Sequence, residues 1–178
     1  MNTKNIILAP VALTAVLMSA NMQAATATGT LTVRATIASS CAINTSATGA
    51  VSGAVLDFGN ISGLTANVDA STATTGGTKI GVLCNNGTTW SLAADGGVNV
   101  NASQRRMASQ TLTTKQYLPY NLYSDSTRAT AIPVGTAFQT GTGTGALQTY
   151  DVYGRIPSGS ALPGADSYLD TVTLTITY

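Results

Sequence analysis

The closing stretch "TVTLTITY", residues 171–178, decides how the chain is read. Val172, Leu174, Ile176 and Tyr178 alternate with threonines up to the last residue. In a β-strand, alternate side chains share a face, so these four mark a strand with one apolar side and one polar side. A strand carrying such a face belongs in a core, where its main-chain groups need a partner on both edges. The sequence offers no later strand, so the partner for one edge has to be sought elsewhere.

Further strands are expected upstream. Period-two or short apolar segments recur near residues 29–37, 54–58, 78–84, 88–94, 117–123, 130–138, 147–156 and 170–178. Turn formers separate them: "NNG" at 85–87, "DGG" at 95–97, "TGTGTG" at 140–145 and "PSGSALPG" at 157–164. Residues 65–77, "TANVDASTATTGG", are poor in large apolar groups and read as a long surface loop. No segment carries a helical stripe. Short strands with Gly-rich turns imply an all-β sandwich.

The N-terminus bears on location. Lys4 precedes the apolar run Ile6–Met18, which leads to Asn21, Gln23 and the small pair Ala24 and Ala25. That order reads as a secretory signal peptide over 1–24, cleaved after Ala24 or, alternatively, Ala25. The run is well short of the roughly 20 residues a membrane-spanning helix needs, and no transmembrane helix is expected later. Without the signal, 154 of the 178 residues remain, enough for one domain with its own core.

Charge excludes some partners. Of eight basic residues Lys4 leaves with the signal, so seven face seven acids, all aspartate. Such a chain has no electrostatic pull toward nucleic acid or an anionic membrane. Its polar surface is made of Thr, Ser, Asn and Gln, which suits packing against copies of itself.

Candidate chemistry is sparse. There is no histidine and no glutamate, so the commonest general base is missing and carboxylate pairs are limited to aspartate. Asp166 and Asp170 lie four apart before the last strand and are read as turn residues. Arg105 and Arg106 in "SQRRMAS" read as a solvated loop pair, with contact to a carbohydrate or acidic partner as the sharper alternative. Trp90 in "TTWSL" reads as core, with sugar stacking as the alternative. Cys41 and Cys84, an even count in an exported chain, favour a disulfide over reactive thiols, and without histidine they make a poor zinc site. A bridge over that span restricts the unfolded chain by roughly 4 kcal/mol. No cofactor is expected.

The other end of the chain holds a second amphipathic strand. In "GTLTVRATI", residues 29–37, Gly29, Leu31, Val33, Ala35 and Ile37 share a face. It serves either as the first strand of its own domain or as a spare strand that completes the open edge of the next copy. Head-to-tail addition of that kind does not close on itself and builds a filament.

Taken in order, "GTLTVRATIASSC" at 29–41, "LDFGNISG" at 56–63, "IGVLC" at 80–84, "LPYNLYSD" at 118–125 and the closing "YDVYGRIP" and "SYLDTVTLTITY" segments resemble the subunits of archaic chaperone-usher pili, which carry a spore-coat-protein-U-like domain, and among them major subunits of the Csu type. The resemblance covers nearly the whole mature chain. It implies an incomplete immunoglobulin-like β-sandwich (the pilin fold) lacking its last strand, with an N-terminal donor strand over 25–37 and the domain over 38–178. It implies Gly29, Leu31, Val33, Ala35 and Ile37 as donor residues, Val172, Leu174, Ile176 and Tyr178 as the acceptor side, and a Cys41–Cys84 bridge. The partners implied are a periplasmic chaperone, an outer-membrane usher and neighbouring copies, in an extracellular fimbria that serves surface attachment and biofilm formation, with no catalysis. Two other classes fit parts of the pattern. A small outer-membrane β-barrel also ends in an alternating strand with a terminal aromatic. A secreted carbohydrate-binding adhesin domain is the second.

Overall fold

A computed structural model of the chain describes residues 26–43, 53–73 and 78–178; the expected signal peptide over 1–24 lies outside the described residues. Two units are distinguished, residues 1–36 and residues 37–178. In the first, residues 26–36 form no strand and are exposed throughout. In the second, the secondary structure is all β among the described residues.

Its strands are β1 (Cys41–Ile43), β2 (Val68–Ser71), β3 (Ile80–Cys84), β4 (Thr89–Ala94), β5 (Arg106–Ser109), β6 (Tyr117–Pro119), β7 (Asn121–Tyr123), β8 (Ala137–Thr142), β9 (Leu147–Tyr150), β10 (Tyr153–Ile156), β11 (Tyr168–Leu169) and β12 (Leu174–Thr177). They pair in antiparallel three-stranded sheets ordered β1-β3-β9, β2-β10-β7, β11-β5-β6 and β12-β4-β8. Among the described residues these sheets have open edges and do not join in the closed ring that a transmembrane barrel requires. Their inner faces share one apolar cluster, so the architecture is an open sandwich.

The core follows the sequence alternation. Along β4, Trp90, Leu92 and Ala94 are buried while Ser91 and Ala93 are half-buried on the other side. Strand β3 is buried along most of its length, with Ile80, Val82 and Cys84 at the centre of the cluster. Trp90 packs edge-on against Tyr150, ring centroids 5.4 Å apart, and is core as expected. The turn expected at "NNG" joins β3 to β4, with Gly87 at φ +82° and the Thr88 N–H donating to the Asn85 carbonyl at 3.1 Å. At "DGG" the Asp95 carboxylate accepts the N–H groups of Gly97 and Thr173, both at 2.8 Å, which ties this turn to the approach of β12.

Several elements differ from the sequence expectation. Within the stretch read as a loop over 65–77, residues 68–71 form β2, paired with β10 in the register Val68↔Ile156 to Ser71↔Tyr153. Ala70 and Ser71 are small and buried, and it is the neighbouring strand rather than apolar bulk that holds them there. "TGTGTG" reads as a break from residue 140, yet β8 continues through Thr142, because Gly141 lies under the Trp90 ring. A Cβ on Gly141 would come within 2.6 Å of the indole. Residues 130–138 contribute only the bridge Tyr123↔Ala131 and the start of β8, since Pro133 and Gly135 at φ +72° interrupt any ladder. The single strands expected over 117–123 and 147–156 each divide in two, and the halves join different sheets.

The arginine pair is also corrected. Arg105 is not a solvated loop residue: it is only 4% exposed, and Arg106 begins β5. The Arg105 guanidinium donates to the Asp95 carbonyl from Nε at 2.9 Å and from Nη2 at 2.7 Å, and to the Ile132 carbonyl from Nη1 at 2.7 Å. Longer bonds reach the carbonyls of Ala94 at 3.3 Å and Pro133 at 3.2 Å. A planar fork with five donors can satisfy that many buried acceptors at once.

Candidate functional site: an apolar cleft beside the last strand

Strand β12 pairs with β4 in the register Leu174↔Ala94 to Thr177↔Ser91. Among the described residues no strand pairs with its other edge. Val172, Leu174 and Ile176 are half-buried against the core, while Thr171, Thr173, Thr175 and Thr177 are exposed. Tyr178 is 59% exposed. A threonine-faced strand thus lines the core with half of its side chains and offers unpaired N–H and C=O groups along its free edge.

The opposite wall is the extended segment 54–58. Ala54, Leu56 and Phe58 are half-buried and Val55 and Asp57 exposed, the period of two expected for "AVLDF". One bridge fixes it: the Val55 N–H donates to the Thr78 carbonyl at 3.1 Å and the Thr78 N–H to the Val55 carbonyl at 2.8 Å. Gly154 of β10 lets the segment seat deeply, because a Cβ there would lie 2.8 Å from both Leu56 and Phe58. Phe58 packs edge-on against Tyr120 at 6.4 Å.

Between the walls lies a cleft of about 380 Å³. Ala54, Leu56, Phe58, Val172 and Leu174 line it together with the buried Ile80, Leu122, Ile132 and Val152, whereas Ile176 and Tyr178 do not line it. Among the described residues β1 likewise pairs on one edge only, with β3, and it passes within 8 Å of β12 without a ladder between them.

At the polar end of the cleft the carboxylate of Asp170 accepts the Tyr120 hydroxyl at 2.7 Å and the side-chain amide of Asn99 at 3.0 Å. Burial first, and then this bond, push the Tyr120 hydroxyl far above its usual pKa, so it stays a neutral donor. Asp166 accepts the Thr111 hydroxyl and the Thr111 N–H, both at 2.7 Å, and the Leu112 N–H at 3.1 Å. Both carboxylates therefore act as turn and strand ties, as the sequence reading expected. Among the described residues no group of three or more potential metal ligands occurs. What the arrangement can do is bind an extended chain: an apolar floor accepts alternate side chains, and the free edge of β12 supplies main-chain hydrogen bonds.

The residues expected on the donor strand stand in water. Leu31, Val33 and Ile37 are 88%, 83% and 83% exposed, and a Cβ on Gly29 would meet nothing within 4 Å. Cys41 and Cys84 form a disulfide and sit directly opposite each other in the β1–β3 register. Sequence reasoning missed the far wall's partners: the Val55–Thr78 bridge and the glycine at 154 left no local signal beyond the alternation in "AVLDF".

The model of the Spore Coat Protein U domain family matches residues 27–175. No curated protein matches. Among solved structures the chain is similar to the CsuC–CsuE chaperone–tip adhesion subunit pre-assembly complex from archaic chaperone-usher Csu pili of Acinetobacter baumannii, at 18% identity and a TM-score of 0.48. The match covers 80% of this chain and 40% of that one, so the chain spans less than half the length of this structural relative.

Proposed function

The chain belongs to the Spore Coat Protein U domain family, and from that premise we propose that it is a structural subunit of an extracellular pilus assembled by the chaperone-usher pathway through donor-strand complementation. The observations that carry the reading are an apolar cleft lined by Val172 and Leu174 and a β12 edge that has no partner strand among the described residues. Left open in water, such an edge is an aggregation hazard. A periplasmic chaperone covers it first, and at the outer-membrane usher the "GTLTVRATI" strand of the next copy takes over. Leu31, Val33, Ala35 and Ile37 then lie against the cleft, Gly29 allows close approach, and Val172, Leu174, Ile176 and Tyr178 form the accepting side.

The energetics favour filling the cleft. Each aliphatic side chain moved from water into the cleft contributes about 1.5–3 kcal/mol, and each main-chain hydrogen bond to β12 adds about 0.5–1.5 kcal/mol. Leu31, Val33 and Ile37 together supply the slow dissociation that a fibre needs. The fibre serves attachment to surfaces and biofilm formation, and the subunit itself carries out no catalysis.

Deleting residues 25–37 is the decisive experiment. The shortened chain is expected to fold and to form a complex with its chaperone, yet to give no polymer by size-exclusion chromatography or electron microscopy. A deletion that abolishes the fold, or one that leaves polymerisation intact, overturns the donor-strand assignment.

A further inference from the structure

We propose that the Cys41–Cys84 disulfide is the mechanical anchor of the fibre, passing tension from the N-terminal strand of a subunit directly to the sheet that holds its neighbour. The inference rests on the donor-strand reading above. The donor segment ends at Ile37, and Cys41 follows closely, after Ala38, Ser39 and Ser40. Any pull on the donor strand therefore reaches Cys41 after only the hydrogen bonds between Ser40 and Asn85.

From Cys41 the shortest mechanical route is covalent. The disulfide crosses to Cys84, the last residue of β3, and the turn 85–88 leads straight into β4. Strand β4 carries the ladder to β12, on whose free edge the neighbour's strand lies under this reading. The pull thus meets one disulfide, one short turn and one antiparallel ladder, and it bypasses the remainder of the domain.

The surroundings brace this route. Next to the bridge, the Ser40 N–H and hydroxyl donate to the Asn85 side-chain oxygen at 2.7 and 2.9 Å, and the Asn85 N–H donates back to the Ser40 carbonyl at 3.1 Å. The turn is held from behind by the glycine-rich loop. The Gly87 N–H donates to the Gly143 carbonyl at 2.9 Å, the Gly143 N–H to the Thr88 carbonyl at 2.7 Å, and the Gly145 N–H to the Cys84 carbonyl at 3.1 Å. Without the bridge β1 has only a three-residue ladder to β3, and the next tie along the described chain is the Val55–Thr78 bridge.

The test pulls single assembled fibres by optical tweezers before and after reduction with a phosphine, with alkylation and mass measurement to establish that both thiols are free. Oxidised fibres are expected to resist until strands separate. Reduced fibres are expected to add a low-force step per subunit of at most about 45–50 Å, the length of residues 41–54 at roughly 3.4 Å each. Fibres of an Asn85→Ala variant, still oxidised, are expected to lack that step. Identical force curves before and after reduction overturn the inference, as does falling apart on reduction without applied force, because the bridge would then hold the fold and not the pull. Fibres that assemble from a chain lacking residues 25–37 overturn the donor-strand reading itself and the anchor with it.

Discussion

Asp166 shows how much a single half-buried side chain can organise. The Thr111 hydroxyl, together with N–H groups of Thr111, Leu112 and Ser167, holds its carboxyl well below the usual carboxylate range. Because the folded value lies below the unfolded one, ionised Asp166 stabilises the fold above about pH 4, and that contribution is lost as pH falls through the depressed value. An Asp166→Asn variant is expected to melt at lower temperature than the parent at pH 7, with the gap closing as pH drops below about 4; a gap independent of pH would remove the carboxylate from this role. That Asp166 belongs to a turn was legible from its neighbours in sequence. Its partners, 55 and 54 residues away, were not. Arg105 marks the opposite case: in a polar stretch, a charge reads as surface, and only the carbonyls of Asp95 and Ile132 converging on one point make its burial favourable.

At the scale of elements, alternation located strands well where each strand stays in one sheet. It placed strands at 78–84 and 88–94, where β3 and β4 span 80–84 and 89–94, but it could not see that 117–123 and 147–156 change sheets midway. Alternation records which face is apolar and carries no information about which neighbour supplies the ladder. Glycine within strands has the same limit. "TGTGTG" reads as punctuation, yet Gly143 is where the two turns that cross between the β1-β3-β9 and β12-β4-β8 sheets touch: a Cβ there would lie 2.3 Å from the Asn85 carbonyl oxygen and 2.7 Å from the Cys84 Cβ. Since the first obstacle is backbone, Gly143→Ala is expected to destabilise the domain by about 1–3 kcal/mol in urea unfolding. A loss near zero would mean that the β3–β4 and β8–β9 turns can separate freely.

For the whole molecule, the cleft is the feature on which the proposed function rests. Leu174 stands on its wall and points toward the core without being sealed from water. A Leu174→Asp substitution places a charge where the incoming strand would bury an aliphatic group, so polymer yield is expected to fall at least tenfold, about 1.4 kcal/mol at the interface or more. Circular dichroism of the purified variant distinguishes this from misfolding: a β spectrum with undiminished polymer yield would count against the cleft as the binding surface. By itself the sequence determined the all-β class, the amphipathic character of both terminal segments and the two cysteines, because each is written in short-range periodicity or composition. The tertiary structure alone decided that, among the described residues, β12 pairs only with β4, and that Ala54, Leu56 and Phe58 line the same apolar cleft as Val172 and Leu174. Those are consequences of where distant strands meet, and the spacing of residues along one strand does not encode its neighbour.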